Sequence, residues 1–121
     1  MKEYKLAEVE AKFADIIWEN EPLSSSMLVN LCQEQLGWKK STTYTVLKKL
    51  CERGIFQNEK AVVTSVISKE EFASEKSRAF VEDSFEGSLP RFLTAFMGNK
   101  KLSKKQAEEI KELIDNFKEV E

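Results

Sequence analysis

One short stretch of the chain combines hydroxyl and ammonium side chains at helical spacing. Between Gly37 and Gly54, the polar positions carry threonines and a tyrosine near the start and charged residues further along. These positions are Thr42, Tyr44, Thr45, Lys48, Lys49 and Glu52. Hydroxyls can hydrogen-bond phosphates or base edges, lysines neutralise phosphates, and a helix N-terminus adds free amides and partial positive charge. These residue types in this order predict a helix that binds in the DNA major groove.

The same stretch has an apolar side. Val46, Leu47 and Leu50, with Thr43 one turn earlier, recur at the three- and four-residue spacing of a helix that buries one face. The pattern therefore predicts a recognition helix within residues 38–54. An ordinary surface helix also shows lysines and threonines on its solvated side, and without further information it is an equal alternative.

The distribution of charge separates these two interpretations. Residues 1–37 hold three lysines against seven acidic residues, whereas residues 38–53 hold five basic residues against Glu52 alone. The whole chain has a formal net charge of only −2, so positive charge is concentrated on one element. Such a concentration favours a face that meets an anion.

Two helices are predicted before this stretch. The first extends from residue 6 or 7 to Glu19 and ends before Pro22. Its apolar stripe consists of Val9, Phe13, Ile16 and Ile17. Ser24 is predicted to cap the second helix, which stops at Gly37.

A hairpin is predicted after Gly54. The segments 55–57 and 61–67 are rich in β-branched and apolar residues and flank a polar turn at residues 58–60. Three helices followed by a hairpin predict a mainly α fold with a winged helix-turn-helix DNA-binding domain over residues 1–68. Lys60 is the basic residue at the hairpin tip, where it would make a weak wing contact.

Residues 69–121 are predicted to form a helical dimerisation domain. Ser68 with Glu71 and Ser103 with Gln106 have the spacing of capping boxes. The apolar faces of these helices are too large for so short a segment to cover, so a homodimer with a shared core is favoured. The alternative is that the helices fold back on the first domain. The residues expected at the dimer interface are Phe72, Phe80, Phe85, Leu89, Phe92, Leu93, Phe96, Ile110, Leu113, Ile114 and Phe117.

Composition argues against several other classes of protein. No apolar run is long enough to span a bilayer and no signal peptide is recognisable, so we expect a cytoplasmic protein without a membrane partner. The chain has no histidine and four glycines, and it has no glycine-rich phosphate loop, so neither catalysis nor a cofactor is expected. Cys32 and Cys51 lack the spacing of a metal site and are interpreted as two buried thiols.

Three groups of residues carry a resemblance over nearly the whole chain. They are Ile16-Ile17-Trp18, then Trp38 with Thr42, Thr45, Leu50 and Gly54, and then Gly87-Ser88-Leu89 with Phe96 and Leu102-Ser103. Together they resemble the BlaI/MecI/CopY family, the penicillinase and methicillin-resistance repressors of Gram-positive bacteria. The resemblance implies a homodimeric winged-helix repressor of dyad-symmetric double-stranded DNA operators. It places Thr42, Tyr44, Thr45 and Lys49 at the DNA, with Lys40, Ser41 and Lys48 as phosphate contacts.

The chain also departs from the family pattern. Lys39 stands where the family usually has a capping serine, so Ser41 is expected to cap a helix that starts later. In the antibiotic-responsive members a regulatory protease cleaves an Asn-Phe bond, and the corresponding bond here is Ala95-Phe96. The cysteine-rich metal site of the copper-responsive branch is missing, so copper sensing is not expected. A winged-helix module that binds another protein is the alternative function, but it needs no excess of lysine on this helix.

Overall fold

The computed structural model describes residues 6–119, which fold into six helices and three short strands. In chain order these are α1 (Glu8–Asn20), β1 (Leu23–Ser24), α2 (Ser25–Leu36), α3 (Lys40–Glu52), β2 (Phe56–Glu59), β3 (Val62–Ser65), α4 (Lys69–Phe85), α5 (Leu89–Met97) and α6 (Lys104–Phe117). The predicted fold class, a winged helix followed by a helical region, is confirmed. The chain divides into two compact units, Met1–Phe80 and Val81–Glu121.

The second helix has the ends that the sequence predicts, whereas the third begins earlier than expected. The Ser24 Oγ accepts a hydrogen bond of 3.0 Å from the Met27 N–H, and Gly37 ends α2 with a left-handed φ of 68°. Lys39 is the N-cap residue of α3, and its side chain makes no capping hydrogen bond. The expectation that Ser41 caps a later-starting helix is therefore wrong, since Ser41 already lies in the first turn.

The three strands form one antiparallel sheet with β3 in the centre. Strand β1 pairs Leu23 with Val63, and it has no counterpart among the predicted elements because it is two residues long. The turn of the hairpin consists of Lys60 and Ala61, whose φ values of 51° and 64° are those of a type I′ turn. The predicted turn at residues 58–60 is therefore wrong, since residues 58 and 59 belong to β2.

The core of the first unit lies between α1, α2, α3 and the sheet. Its largest fully buried side chains include Phe13 of α1, Leu28 of α2, Leu50 of α3, and Phe56 and Val63 of the sheet. The predicted buried face of α3 is confirmed at positions 43, 47 and 50, which are buried, whereas Val46 is only half-buried against the core. The predicted stripe of α1 is confirmed except at position 9, where the valine is 49% exposed.

Two tryptophans join the helices of this unit. The Trp18 ring lies 5.3 Å from the Phe56 ring and 5.7 Å from the Phe72 ring, and its Nε1–H donates to the Ile67 carbonyl at 3.1 Å. Trp38 stacks on Phe13 at 5.4 Å. Phe72 was expected at the dimer interface, but it is 7% exposed and belongs to this core.

The second unit contains no buried side chain among its described residues, 81–119. The predicted cap at Ser103 is present, and Ser88 also caps a helix, since each accepts a hydrogen bond from the backbone N–H three residues later. The Phe92 ring lies 5.6 Å from the Phe85 ring and 5.9 Å from the Phe96 ring. Several apolar side chains of α5 and α6 nevertheless remain solvent-exposed, up to 74% at Phe96 and 82% at Phe117, and the others are at most half-buried.

Across residues 6–119, no helix has the length and apolar character needed to cross a membrane.

Candidate nucleic-acid interface

Helix α3 presents one polar face because its other face is held in the core. Thr43, Leu47 and Leu50 point inward, so residues half a turn away point into solvent. The seven α3 residues expected at DNA are all exposed, and they are Lys40, Ser41, Thr42, Tyr44, Thr45, Lys48 and Lys49. The structure therefore brings these residues onto one helix surface, although not all of them point in the same direction.

The centre of this face carries hydroxyl groups and one lysine without an acidic neighbour. The Thr45 Oγ1 donates to the Ser41 carbonyl at 2.9 Å, which leaves its oxygen lone pairs and its methyl group facing outward. The hydroxyls of Ser41 and Thr42 make no side-chain hydrogen bond within residues 6–119. Lys48 has no carboxylate within ion-pair distance in that same range. The hydroxyls of Ser41 and Thr42 and the ammonium group of Lys48 can bind base edges and phosphates without first breaking a contact in the protein, whereas the Thr45 hydroxyl can do so only as an acceptor.

Tyr44 lies on the flank of α3 that faces α2. Its hydroxyl donates to the Oγ of Ser25 at 3.3 Å, and Ser25 is buried at the start of α2. The Ser25 backbone N–H in turn donates to the Ala61 carbonyl at 2.9 Å. Tyr44, the start of α2 and the wing turn therefore meet at one place. The spacing within α3 could not reveal this contact, because Ser25 is 19 residues away.

Lys49 lies on the opposite flank, which faces α1. Its Nζ is 2.9 Å from the Oε2 of Glu10, and the Oε1 of Glu10 accepts a hydrogen bond of 3.0 Å from the Ala7 N–H. The Glu10 side chain is 16% exposed and that of Lys49 is 60% exposed. The hydrogen bond from Lys49 is the main cause that holds the pKa of Glu10 below its ordinary value. Sequence reasoning missed Glu10, because its partner is far along the chain.

The wing turn places Lys60 in solvent beside Ala61. Glu59 directly precedes it and is also exposed, so the tip of the wing carries both signs of charge. The hairpin below the tip is joined by a hydrogen bond of 3.0 Å from the Gln57 Nε2 to the Thr64 Oγ1. One lysine beside one carboxylate offers little net attraction for a phosphate.

The cysteines lie in this same unit and are both free. Cys32 is fully buried, as predicted, whereas Cys51 is half-buried. Burial is the main cause that raises the pKa of each thiol, so both remain protonated at neutral pH. Within the described residues, no group of three or more His, Cys, Asp or Glu side chains is arranged to hold a metal ion.

The bond that the resemblance assigns to proteolysis lies inside a helix. Ala95 and Phe96 are exposed residues of α5, whose last turn is closed by a hydrogen bond of 3.0 Å from the Gly98 N–H to the Thr94 carbonyl. A protease would reach the Ala95-Phe96 bond in extended form only after this last turn unwinds.

Comparisons with known proteins agree with this arrangement. The family model described as "Penicillinase repressor" matches residues 6–116. The penicillinase repressor of Bacillus licheniformis is 20% identical over 118 residues, which cover 94% of this chain and 92% of the relative. The family match spans both compact units and includes every residue of α3. The resemblance predicted from the sequence is thereby confirmed, and the chain belongs to the penicillinase repressor family.

Proposed function

We propose that this protein is a transcriptional repressor that binds a dyad-symmetric DNA operator as a homodimer. Membership of the penicillinase repressor family supports the repressor activity and favours a regulator over an enzyme. The observation that carries the DNA-binding proposal is the outward face of α3, where exposed hydroxyls and a lysine without an ion-pair partner in residues 6–119 lie opposite a buried side. This is how a helix-turn-helix protein presents its recognition helix to the major groove.

The residues of this face have different proposed roles. Thr42 and Thr45 would contact base edges, where a threonine hydroxyl or methyl group can distinguish bases. Lys40, Ser41 and Lys48 would bind phosphates, which position the helix without reading sequence. Tyr44 would act at the edge of the interface, since its hydroxyl already binds Ser25. Lys60 would add a weak contact from the wing.

The exposed apolar side chains of the second unit support the proposed homodimer. A unit without a buried side chain lacks a core of its own, and burying one Leu, Ile or Phe side chain contributes about 1.5–3 kcal/mol. A second copy of the same surface would supply the missing contacts. We retain residues 69–121 as the dimerisation region but leave out Phe72, because its side chain is buried in the core of the first unit. The proposed interface consists of Phe80, Phe85, Leu89, Phe92, Leu93, Phe96, Ile110, Leu113, Ile114 and Phe117.

A regulatory protease is a further partner that we propose, with the Ala95-Phe96 bond as its target. The family resemblance and the exposure of both residues support this proposal. Replacing Ala95 with Glu would place a charged side chain beside the scissile bond and keep a residue that favours the helix, whereas a proline inside α5 would break it. We expect the variant to remain intact in induced cells in which the wild-type chain is cut. Equal cleavage of both proteins would exclude this bond.

The test of the proposed function is DNA binding across a salt series. Fluorescence anisotropy would compare a duplex from the region upstream of the protein's own gene with a scrambled duplex of equal length and composition. We expect tighter binding to the first duplex and a steep loss of affinity with salt. Thr45→Ala should reduce the preference between the two duplexes, and Lys48→Ala should lower the salt slope by about 0.9 per bound protomer.

Lys76→Ala provides a matched control, because this exposed lysine lies on α4 and not on the proposed recognition helix. It should leave both the preference and the salt slope unchanged. Equal binding of the folded protein to both duplexes at low salt would contradict the repressor proposal. The basic face of α3 would then be tested against protein partners.

A further inference from the structure

Two adjacent lysines on α3 have different electrostatic surroundings. The Lys49 Nζ lies 2.9 Å from the Glu10 Oε2, whereas Lys48 has no carboxylate within ion-pair distance among residues 6–119. Because successive helix residues point about 100° apart, the two side chains leave α3 on different sides. Lys48 points away from the core, and Lys49 points toward α1. Adjacent positions therefore do not have equal access to a phosphate.

The carboxylate that binds Lys49 is fixed in place. The Glu10 Oε1 accepts the Ala7 N–H at 3.0 Å, which anchors the side chain at the start of α1, and the side chain is 16% exposed. The positive charge of Arg53, one turn after Lys49, also acts on this carboxylate. The hydrogen bond from Lys49, followed by the one from the Ala7 N–H and by the charges of Lys49 and Arg53, keeps the pKa of Glu10 below its ordinary value, so the carboxylate is ionised at neutral pH. Lys49 thus has an ionised carboxylate as its partner within the protein at neutral pH.

We infer that Glu10 withholds Lys49 from the DNA backbone, so that Lys49 positions α3 against α1 and Glu10 sets how many lysines of α3 contact phosphates. This inference rests on the proposed function and assigns Lys49 a role different from the one that the family resemblance implies. To bind a phosphate, Lys49 would have to leave one anion for another. The Glu10 carboxylate would then lose its ion-pair partner at 2.9 Å while it remained partly buried and close to the negatively charged DNA.

The salt dependence of DNA binding distinguishes a lysine that stays ion-paired within the protein from a lysine that contacts a phosphate. Each lysine that neutralises a phosphate releases counterions and adds about 0.9 to the slope of log affinity against log salt. A lysine that remains paired with a carboxylate of the protein adds nothing to this slope. The role of Lys49 is therefore measurable on any duplex, whether or not the operator is known.

The experiment uses the full-length protein and both the upstream and the scrambled duplex. The variants are Lys48→Met, Lys49→Met, Glu10→Gln and the double variant Glu10→Gln, Lys49→Met. Per bound protomer, Lys48→Met should lower the slope by about 0.9, and Lys49→Met should leave it unchanged. Glu10→Gln frees a lysine and should raise the slope by about 0.9, with tighter binding to both duplexes. The double variant should lose this increase, because the freed lysine is gone.

Two results would overturn the inference. The first is a salt slope that falls as much in the Lys49→Met variant as in the Lys48→Met variant. The second is a salt slope in the Glu10→Gln variant equal to that of the wild type. Circular dichroism of each variant would confirm that it is folded. The proposed function fails separately if the wild-type protein binds both duplexes equally. In that case the salt slopes measured on the scrambled duplex still decide the role of Glu10. Wild-type protein that binds neither duplex overturns both proposals.

Discussion

The Tyr44 hydroxyl donates a hydrogen bond to the Ser25 Oγ across the interface between α3 and α2. Ser25 is buried at the first position of α2, and its backbone N–H donates to the Ala61 carbonyl in the wing turn. This chain of two hydrogen bonds connects the proposed recognition helix, the preceding helix and the wing. The orientation of α3 therefore depends on polar contacts as well as on its apolar face.

Replacing Tyr44 with Phe removes the first of these hydrogen bonds and keeps the ring. We expect the free energy of unfolding to fall by about 0.5–1.5 kcal/mol, the usual net contribution of an intramolecular hydrogen bond. Urea denaturation measures this change. Thr42→Val is the matched control, because the Thr42 hydroxyl makes no side-chain hydrogen bond within the described residues. Unchanged stability together with weaker DNA binding would mean that the Tyr44 hydroxyl serves DNA instead of α2.

The wing turn offers a substitution that should stabilise the protein. Ala61 has a φ of 64°, and a left-handed conformation costs an L-residue other than glycine roughly 1–2 kcal/mol. Ala61→Gly removes this strain but increases the entropy of the unfolded chain, so we expect a net gain of about 0.5–1 kcal/mol. The melting temperature should rise by roughly 2–6 °C.

Ala73→Gly is the control for the wing substitution, because Ala73 is exposed inside α4. The same change there should destabilise the protein by about 0.5–1 kcal/mol. A decrease in melting temperature for both variants would contradict the type I′ geometry of the turn.

The ion pair between Glu10 and Lys49 predicts a specific dependence of stability on pH. The pKa of Glu10 is lower in the folded protein than in the unfolded chain. Its contribution is therefore complete above the unfolded pKa of about 4.3 and is lost as the pH falls through the lower, folded value. The pair is partly exposed, so its contribution should not exceed about 1 kcal/mol.

Urea denaturation of the wild type and the Glu10→Gln variant would measure this contribution. We expect the wild type to be more stable at pH 7, and the difference should shrink progressively below about pH 4. A difference that is absent at pH 7, or that grows in acid, would show that Glu10 does not stabilise the fold through its charge.

The exposed face of α6 predicts a clear effect on assembly. Leu113 and Ile114 are more than half exposed, and we propose that a second copy covers them. Leu113→Asp combined with Ile114→Asp would place two carboxylates in that interface, so we expect the dimer to dissociate into monomers. Light scattering after size-exclusion chromatography measures the mass. Lys111→Asp on the same helix is the control, and we expect it to remain dimeric.

Local signals in the sequence predict most helix ends and the core. Ser24, Gly37, Ser88 and Ser103 act through hydrogen bonds or backbone angles within a few residues, so their effect can be inferred from spacing alone. The buried positions of α3 follow from helical periodicity for the same reason.

Contacts between distant residues could not be inferred in this way. Strand β1 exists because Leu23 pairs with Val63, and Phe72 is buried because the Trp18 ring lies beside it. The role of Lys49 depends on a carboxylate 39 positions earlier in the chain, and the periodicity of α3 does not distinguish Lys49 from Lys48. The wing turn was misplaced because Lys60-Ala61 lacks the asparagine and glycine that usually mark a type I′ turn.

None of the described residues of the second unit is buried. This missing core affects how the protein responds to its own concentration. If its core exists only between two copies, folding of α5 and α6 and assembly are one bimolecular equilibrium, and the stability of this unit rises with protomer concentration. Dilution would then remove dimers and expose apolar helices at the same time. Operator occupancy would fall more steeply than protein concentration, which would make the switch between repression and expression sharper than a monomeric repressor could achieve.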